Sequence, residues 1–86
     1  MGANHTDVAD SMAGLAAVYI ANQQFGRAER LLARVLQIYE ADPGQYVRQA
    51  FALNDLAILY QHRQRPAEAE ALFHKALLML EKRPSR

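Results

Sequence analysis

A chain of 86 residues makes at most one small domain, able to bury only about 60 to 65 per cent of the surface that its unfolded form exposes. Half of it is apolar, with 3 Pro and 4 Gly, and Ala and Leu dominate, the composition of a folded all-α protein and not of a disordered tail. The absence of Cys excludes disulfides, thiolate chemistry and Cys-containing zinc sites, and a net charge of +1 lacks the basic excess on which phosphate-backbone binding rests, so no nucleic-acid partner is expected.

The N-terminal MGANHT fits the loose N-myristoylation pattern at Gly2 and Thr6. One acyl chain anchors a protein only marginally, and an ordinary N-terminus is the plainer reading. Thr6 or Asp7 is placed to cap a first helix over 7–22. The uncharged stretch between Asp10 and Arg27 is broken by Asn22, Gln23 and Gln24 and is too short in its apolar part to span a membrane. Asp7 and Asp10 stand where a secretory leader would carry cations, so a cytoplasmic protein with no membrane partner is expected.

A second helix, 25–41, follows the polar break QQFG at 23–26. ADPG at 41–44 then separates it from a third, 45–62, because Pro43 disfavours helix at Asp42 and Gly44 relaxes the backbone. After RQRP at 63–66, Pro66 opens a fourth helix, 66–82, at the position where its missing N–H costs nothing. Lys82, Arg83 and Pro84 close that helix, with cations against its C-terminal dipole and a proline beyond. Turns this short make sequential helices antiparallel neighbours.

Shifted by forty-one places, residues 15–40 align without a gap on 56–81, and nine of the twenty-six positions are identical, among them Leu15/Leu56, Tyr19/Tyr60, Glu29/Glu70 and Leu36/Leu77. A composition of this kind gives about two by chance. The chain is one unit written twice, and within each unit the apolar residues recur at helical spacing, as in Met12, Leu15, Ala16 and Tyr19 and again in Leu53, Leu56, Ala57 and Tyr60.

Two helix pairs with Leu-Ala-x-x-Tyr in the first helix and a small residue early in the second resemble tetratricopeptide repeats. The second unit, ALNDLAILYQHRQRPAEAEALFHKALLMLE, is most similar to the longer repeats of kinesin light chains. The resemblance implies an all-α superhelix fragment with a tail at 1–6, a first repeat over 7–43, a second over 44–83 and a tail at 84–86. It also places Met12, Leu15, Ala16, Tyr19, Ala28, Leu32 and Val35 at the signature packing positions of the first repeat, and Leu53, Leu56, Ala57, Tyr60, Ala69, Phe73 and Ala76 at those of the second. The family's turn glycine is replaced by Gln23 and Gln64, and Pro66 stands where an aromatic is usual, so turns of different geometry are expected. Enlarging Ala16, Ala28, Ala57 or Ala69 should overpack the helix pairs at about 1 to 3 kcal/mol.

Catalytic machinery is not visible. His5, His62 and His74 lack metal-ligand spacing; Thr6, Ser11 and Ser85 have no evident base beside them; Glu68 and Glu70, two residues apart on a helix, point to different sides. Without a strand there is no glycine-rich nucleotide loop of the usual kinds. No enzyme activity, metal or cofactor is expected. Tyr19 and Tyr60 fall on packing positions instead of forming, with Tyr39 and Tyr46, a platform for stacked bases.

By resemblance, the first helices line a concave groove that takes a peptide or helix of another protein. Its positions are Asp10, Ala13, Ala17 and Ile20 in the first unit and Phe51, Asn54, Ile58 and Gln61 in the second. Asn54 and Gln61 can each donate to and accept from a peptide backbone, and Ala17, Ile20 and Ile58 offer an apolar floor. Small residues at 13 and 17 equally suit close helix packing. In the second helix of the first unit, Arg27, Arg30, Arg34 and Gln37 make one polar stripe. The matching residues are Glu68, Ala71, Lys75 and Leu78, and the run ALLML at 76–80 leaves that helix apolar on nearly all sides. Repeat arrays usually hold three or more units and a polar cap. A second expectation is therefore a homodimer through the last helix, at Ala71, Lys75, Leu78 and Leu80, with exchange of helices across ADPG as one route.

Overall fold

The structure, a computed structural model that describes residues 5–81, holds four α-helices in antiparallel sequence: α1 His5–Ala21, α2 Phe25–Glu40, α3 Tyr46–His62 and α4 Pro66–Glu81. Each helix packs on its neighbours in the chain; α1 also touches α3, whereas α1 and α4 make no contact among the described residues. The result is a row of two helix pairs whose first helices lie side by side.

The two turns inside the pairs share one geometry. Gln23 and Gln64 take left-handed backbone at φ 64° and 60°, and in each case a six-to-one hydrogen bond closes the helix, from Gln24 N–H to Tyr19 O at 2.8 Å and from Arg65 N–H to Tyr60 O at 2.9 Å. This is the Schellman arrangement that glycine usually serves. The expectation that replacing the turn glycines alters the turns is therefore corrected: the conformation survives, at the steric cost of a Cβ in left-handed space, roughly 1 to 2 kcal/mol. Pro66 opens α4 as expected. Phe25 opens α2 and stacks its ring on His62, with centroids 5.7 Å apart.

ADPG folds into a 3-10 turn, Pro43–Gln45, capped by Asp42. The Asp42 carboxylate accepts from Gly44 N–H at 3.0 Å and from Gln45 Nε2 at 3.2 Å, and the backbone bond holds its pKa below the ordinary carboxylate value. Gln49 Nε2 donates to the Tyr39 carbonyl at 3.1 Å, so the start of α3 is fastened to the end of α2.

The core is built of small and branched residues. Ala16, Ala28, Leu32, Leu56 and Leu59 form one cluster, Ala9, Val35, Tyr39 and Ala52 a second, and Ala50, Leu53 and Ala76 a third. Leu36 packs against all three, which makes it the joint between the pairs. Ala16 with Ala28, and Ala57 with Ala69, are buried and supply the small side chains that let two helix backbones approach.

Two further expectations are corrected. The first helix begins at His5, which puts Thr6 and Asp7 in its first turn and not at its cap; an acid there suits the positive end of the helix dipole. Leu15, expected to pack, is exposed, because no described helix covers that side of α1. Gly2 of the acylation pattern and the closing Lys82, Arg83 and Pro84 lie outside the described residues. No described helix is long and apolar enough to cross a membrane.

Candidate functional site

Between α3 and α4 a crevice of about 330 Å³ opens, walled by Phe51 and Asn54 on one side and by Phe73, Ala76, Leu77 and Leu80 on the other. Helical periodicity brings Phe51 and Asn54 to the same side of α3, three residues apart, while Phe73, Ala76, Leu77 and Leu80 recur at three and four along α4. Phe51 is 63% exposed and Leu77 53%. Large apolar side chains left exposed on facing walls make the crevice a candidate docking place. Asn54, half-buried at the rim, is the polar group able to fix a partner's orientation.

The groove residues expected from the sequence are divided by the structure. Phe51 and Asn54 come together in the crevice. Ile58, half-buried, and Gln61, exposed, continue along α3. Ala13 and Ile20 are partly buried against the core clusters, and Ala17 is exposed. Asp10 serves the fold: its carboxylate accepts from the Tyr39 hydroxyl and from Arg48 Nε at 3.0 Å. The Tyr39 bond first and the Arg48 bond second hold the Asp10 pKa below the usual carboxylate range, while burial and then the bond to Asp10 raise that of Tyr39.

The self-association set divides as well. Ala71, Lys75 and Leu78 lie on the exposed back of α4 with Glu68, just as Arg27, Arg30, Arg34 and Gln37 lie on the back of α2. Leu80 turns into the crevice. Phe73 and Leu77, which also wall the crevice, were not among the candidates expected from the sequence. The available signal was the identity of Leu77 with Leu36 across the repeat: Leu36 joins the two described pairs, and its counterpart Leu77 is exposed among the described residues.

Several polar groups elsewhere are held within the fold. A wider cleft of about 790 Å³ is walled by His5, Asp42, Gln45 and Arg48 among others. There Asp42 is taken by Gly44 and Gln45, and Arg48 bonds both Asp10 and Gln45. Glu29 accepts from the Tyr60 hydroxyl at 2.6 Å and from Arg63 at 3.0 Å, and Arg65 pairs with Glu68. Asp55, half-buried without a hydrogen bond or ion pair among the described residues, has its pKa raised by desolvation. Among the described residues no three His, Asp or Glu side chains gather as metal ligands.

Paired antiparallel helices stacked in a row, with an apolar trough at one end and no assembled reactive groups among the described residues, define an α-helical repeat protein of the interaction class. A family model described as tetratricopeptide repeat matches residues 8–41 and 52–82, and the chain belongs to that family. No curated protein and no solved structure matches it. Repeats of this family mediate protein–protein interaction and are not catalytic units.

Proposed function

We infer that the chain is a non-catalytic interaction module that receives an amphipathic helix or apolar segment of a protein partner in the crevice between α3 and α4. One observation carries this reading: Phe51 and Leu77 are large apolar side chains more than half exposed on facing walls of the same crevice. Burying such a pair contributes about 1.5 to 3 kcal/mol per side chain. Asn54 at the rim bonds the partner's backbone or a polar side chain, and Ile58 and Gln61 extend the contact along α3.

Binding of a panel of fluorescent amphipathic helical peptides, followed by anisotropy, tests this. Saturable binding should weaken at least about tenfold in Leu77→Glu and Phe51→Glu, a loss of about 1.4 kcal/mol or more. A smaller loss is expected in Asn54→Ala and none in Arg34→Glu on the back of α2. Affinity indifferent to both crevice substitutions contradicts the reading.

A further inference from the structure

The crevice has an occupied counterpart inside the same chain. Ala50, Phe51, Asn54, Ala76, Leu77 and Leu80 stand forty-one residues after Ala9, Asp10, Ala13, Val35, Leu36 and Tyr39. Those earlier residues wall the seat between α1 and α2 in which α3 lies, with Ala52 of α3 buried among Ala9, Val35 and Tyr39. The crevice between α3 and α4 is the same seat one repeat later, and it is open.

The helix that fits such a seat presents what α3 presents: Ala52, Leu56 and Leu59, all buried, and Tyr60, whose hydroxyl bonds Glu29. One repeat earlier these positions are Ser11, Leu15, Val18 and Tyr19 on α1. Leu15 and Val18 are exposed, and no described helix covers the side of α1 that carries them. Among the described residues the Tyr19 hydroxyl and the Glu70 carboxylate, counterparts of Tyr60 and Glu29, have no hydrogen bond within the chain. Among the described residues there is thus an open seat beside α4 and an uncovered helix of matching pattern in α1.

The two ends also depart from the internal junction in composition. In the occupied seat Asp10 and Tyr39 are polar and meet polar residues of α3, with Arg48 on Asp10 and Gln49 on the Tyr39 carbonyl. In the open seat Phe51 and Leu80 replace them, and on α1 Asp7 stands at the position of Arg48 and Val8 at that of Gln49. Val8 suits the apolar Leu80, and the match of Leu15, Val18 and Tyr19 to the positions of Leu56, Leu59 and Tyr60 singles out a second copy of this chain as the occupant.

We propose that the protein assembles head to tail, with α1 of one copy seated in the α3–α4 crevice of the next as α3 is seated between α1 and α2. Leu15 and Val18 of the entering helix pack on Leu77, Tyr19 donates to Glu70, and Val8 lies over Leu80. Because the contact joins two different faces it leaves one seat and one helix free at the ends, so it propagates unless the rotation closes a ring. This names the occupant of the crevice described above and rests on that reading.

The test is light scattering on two exposed-residue variants, Leu77→Glu in the seat and Val18→Arg on the entering helix, with circular dichroism confirming that both stay helical. The wild-type mass should climb with concentration past that of two chains. Each variant alone should remain a monomer, and their equimolar mixture should form a one-to-one pair that stops at two, since one variant keeps a sound α1 and the other a sound seat. A Val18→Arg variant that still dimerises by itself reveals a symmetric α4 contact and overturns the proposal, as does a mixture that stays monomeric. A wild-type monomer that nevertheless binds amphipathic peptides through Leu77 overturns head-to-tail assembly and leaves the crevice as a site for a different protein.

Discussion

The outer side of α1 and the corresponding side of α3 are nearly the same surface in two settings. Leu15 is 45% exposed and Leu56 8%; Val18 is 54% exposed and Leu59 fully buried. The repeat register puts Leu15 and Leu56 at matched packing positions, with Val18 and Leu59 three residues on, and only the pair in front of α3 buries two of the four. In a stacked array burial belongs to the junction and not to the residue, which is why stability in such folds is close to a sum of units and nearest-neighbour interfaces.

The sharpest way to break this comparison is to truncate matched positions. Leu59→Ala should cost about 2 to 5 kcal/mol, enough to unfold much of a small domain, whereas Val18→Ala should cost no more than about 0.5 kcal/mol at dilutions where the chain is alone. Urea unfolding of both variants checks this, and equal losses would mean that α1 is covered after all.

A second pair of variants contrasts the polar seat with the apolar one. Tyr39→Phe removes the hydroxyl that bonds Asp10 and should cost about 0.5 to 1.5 kcal/mol, while no such bond exists at the matching Leu80. The pH dependence follows from sign. The Asp10 pKa is lowered in the fold, so its contribution is present above the unfolded carboxylate value and is lost as pH falls through the folded one. The Asp55 pKa is raised by burial, so its contribution runs the other way: it is full below the unfolded value and lost as pH rises through the folded one. Acid titration of stability should therefore be shallower in Tyr39→Phe than in the wild type, and Asp55→Asn should stabilise the protein at neutral pH but not in acid.

The smallest effect lies at the turns, where Gln23 and Gln64 hold left-handed backbone. Gln64→Gly should gain about 0.5 to 1 kcal/mol, the steric relief exceeding the entropy that glycine loses on folding. A melting temperature that falls would show that the Gln64 side chain contributes more than its backbone costs.

Much of this was legible in the residues. The forty-one-residue offset set out both helix pairs, and Pro43, Gly44 and Pro66 marked breaks within a residue or two of where they occur. Phe51 and Asn54 could be placed on one face of their helix from the family resemblance, and both line the crevice. Asp10 was not legible as a structural residue, since its partners Tyr39 and Arg48 are 29 and 38 residues away and only the stacking of α1, α2 and α3 brings them together. Leu77 was passed over for Leu78 because an unbroken apolar run such as ALLML hides which residue faces the open end. The α3–α4 packing decides it, turning Leu77 to the crevice and Leu78 to the back.

The central claim is that the crevice between α3 and α4 is where this protein meets its partner. It is tested most directly by amide shift mapping of the labelled protein on titration with a bound amphipathic peptide. Shifts concentrated at Ala50, Phe51, Asn54, Phe73 and Leu77 are the predicted result. Shifts concentrated instead around His5, Asp42 and Arg48, or along Arg27, Arg30 and Arg34 on the back of α2, would contradict it.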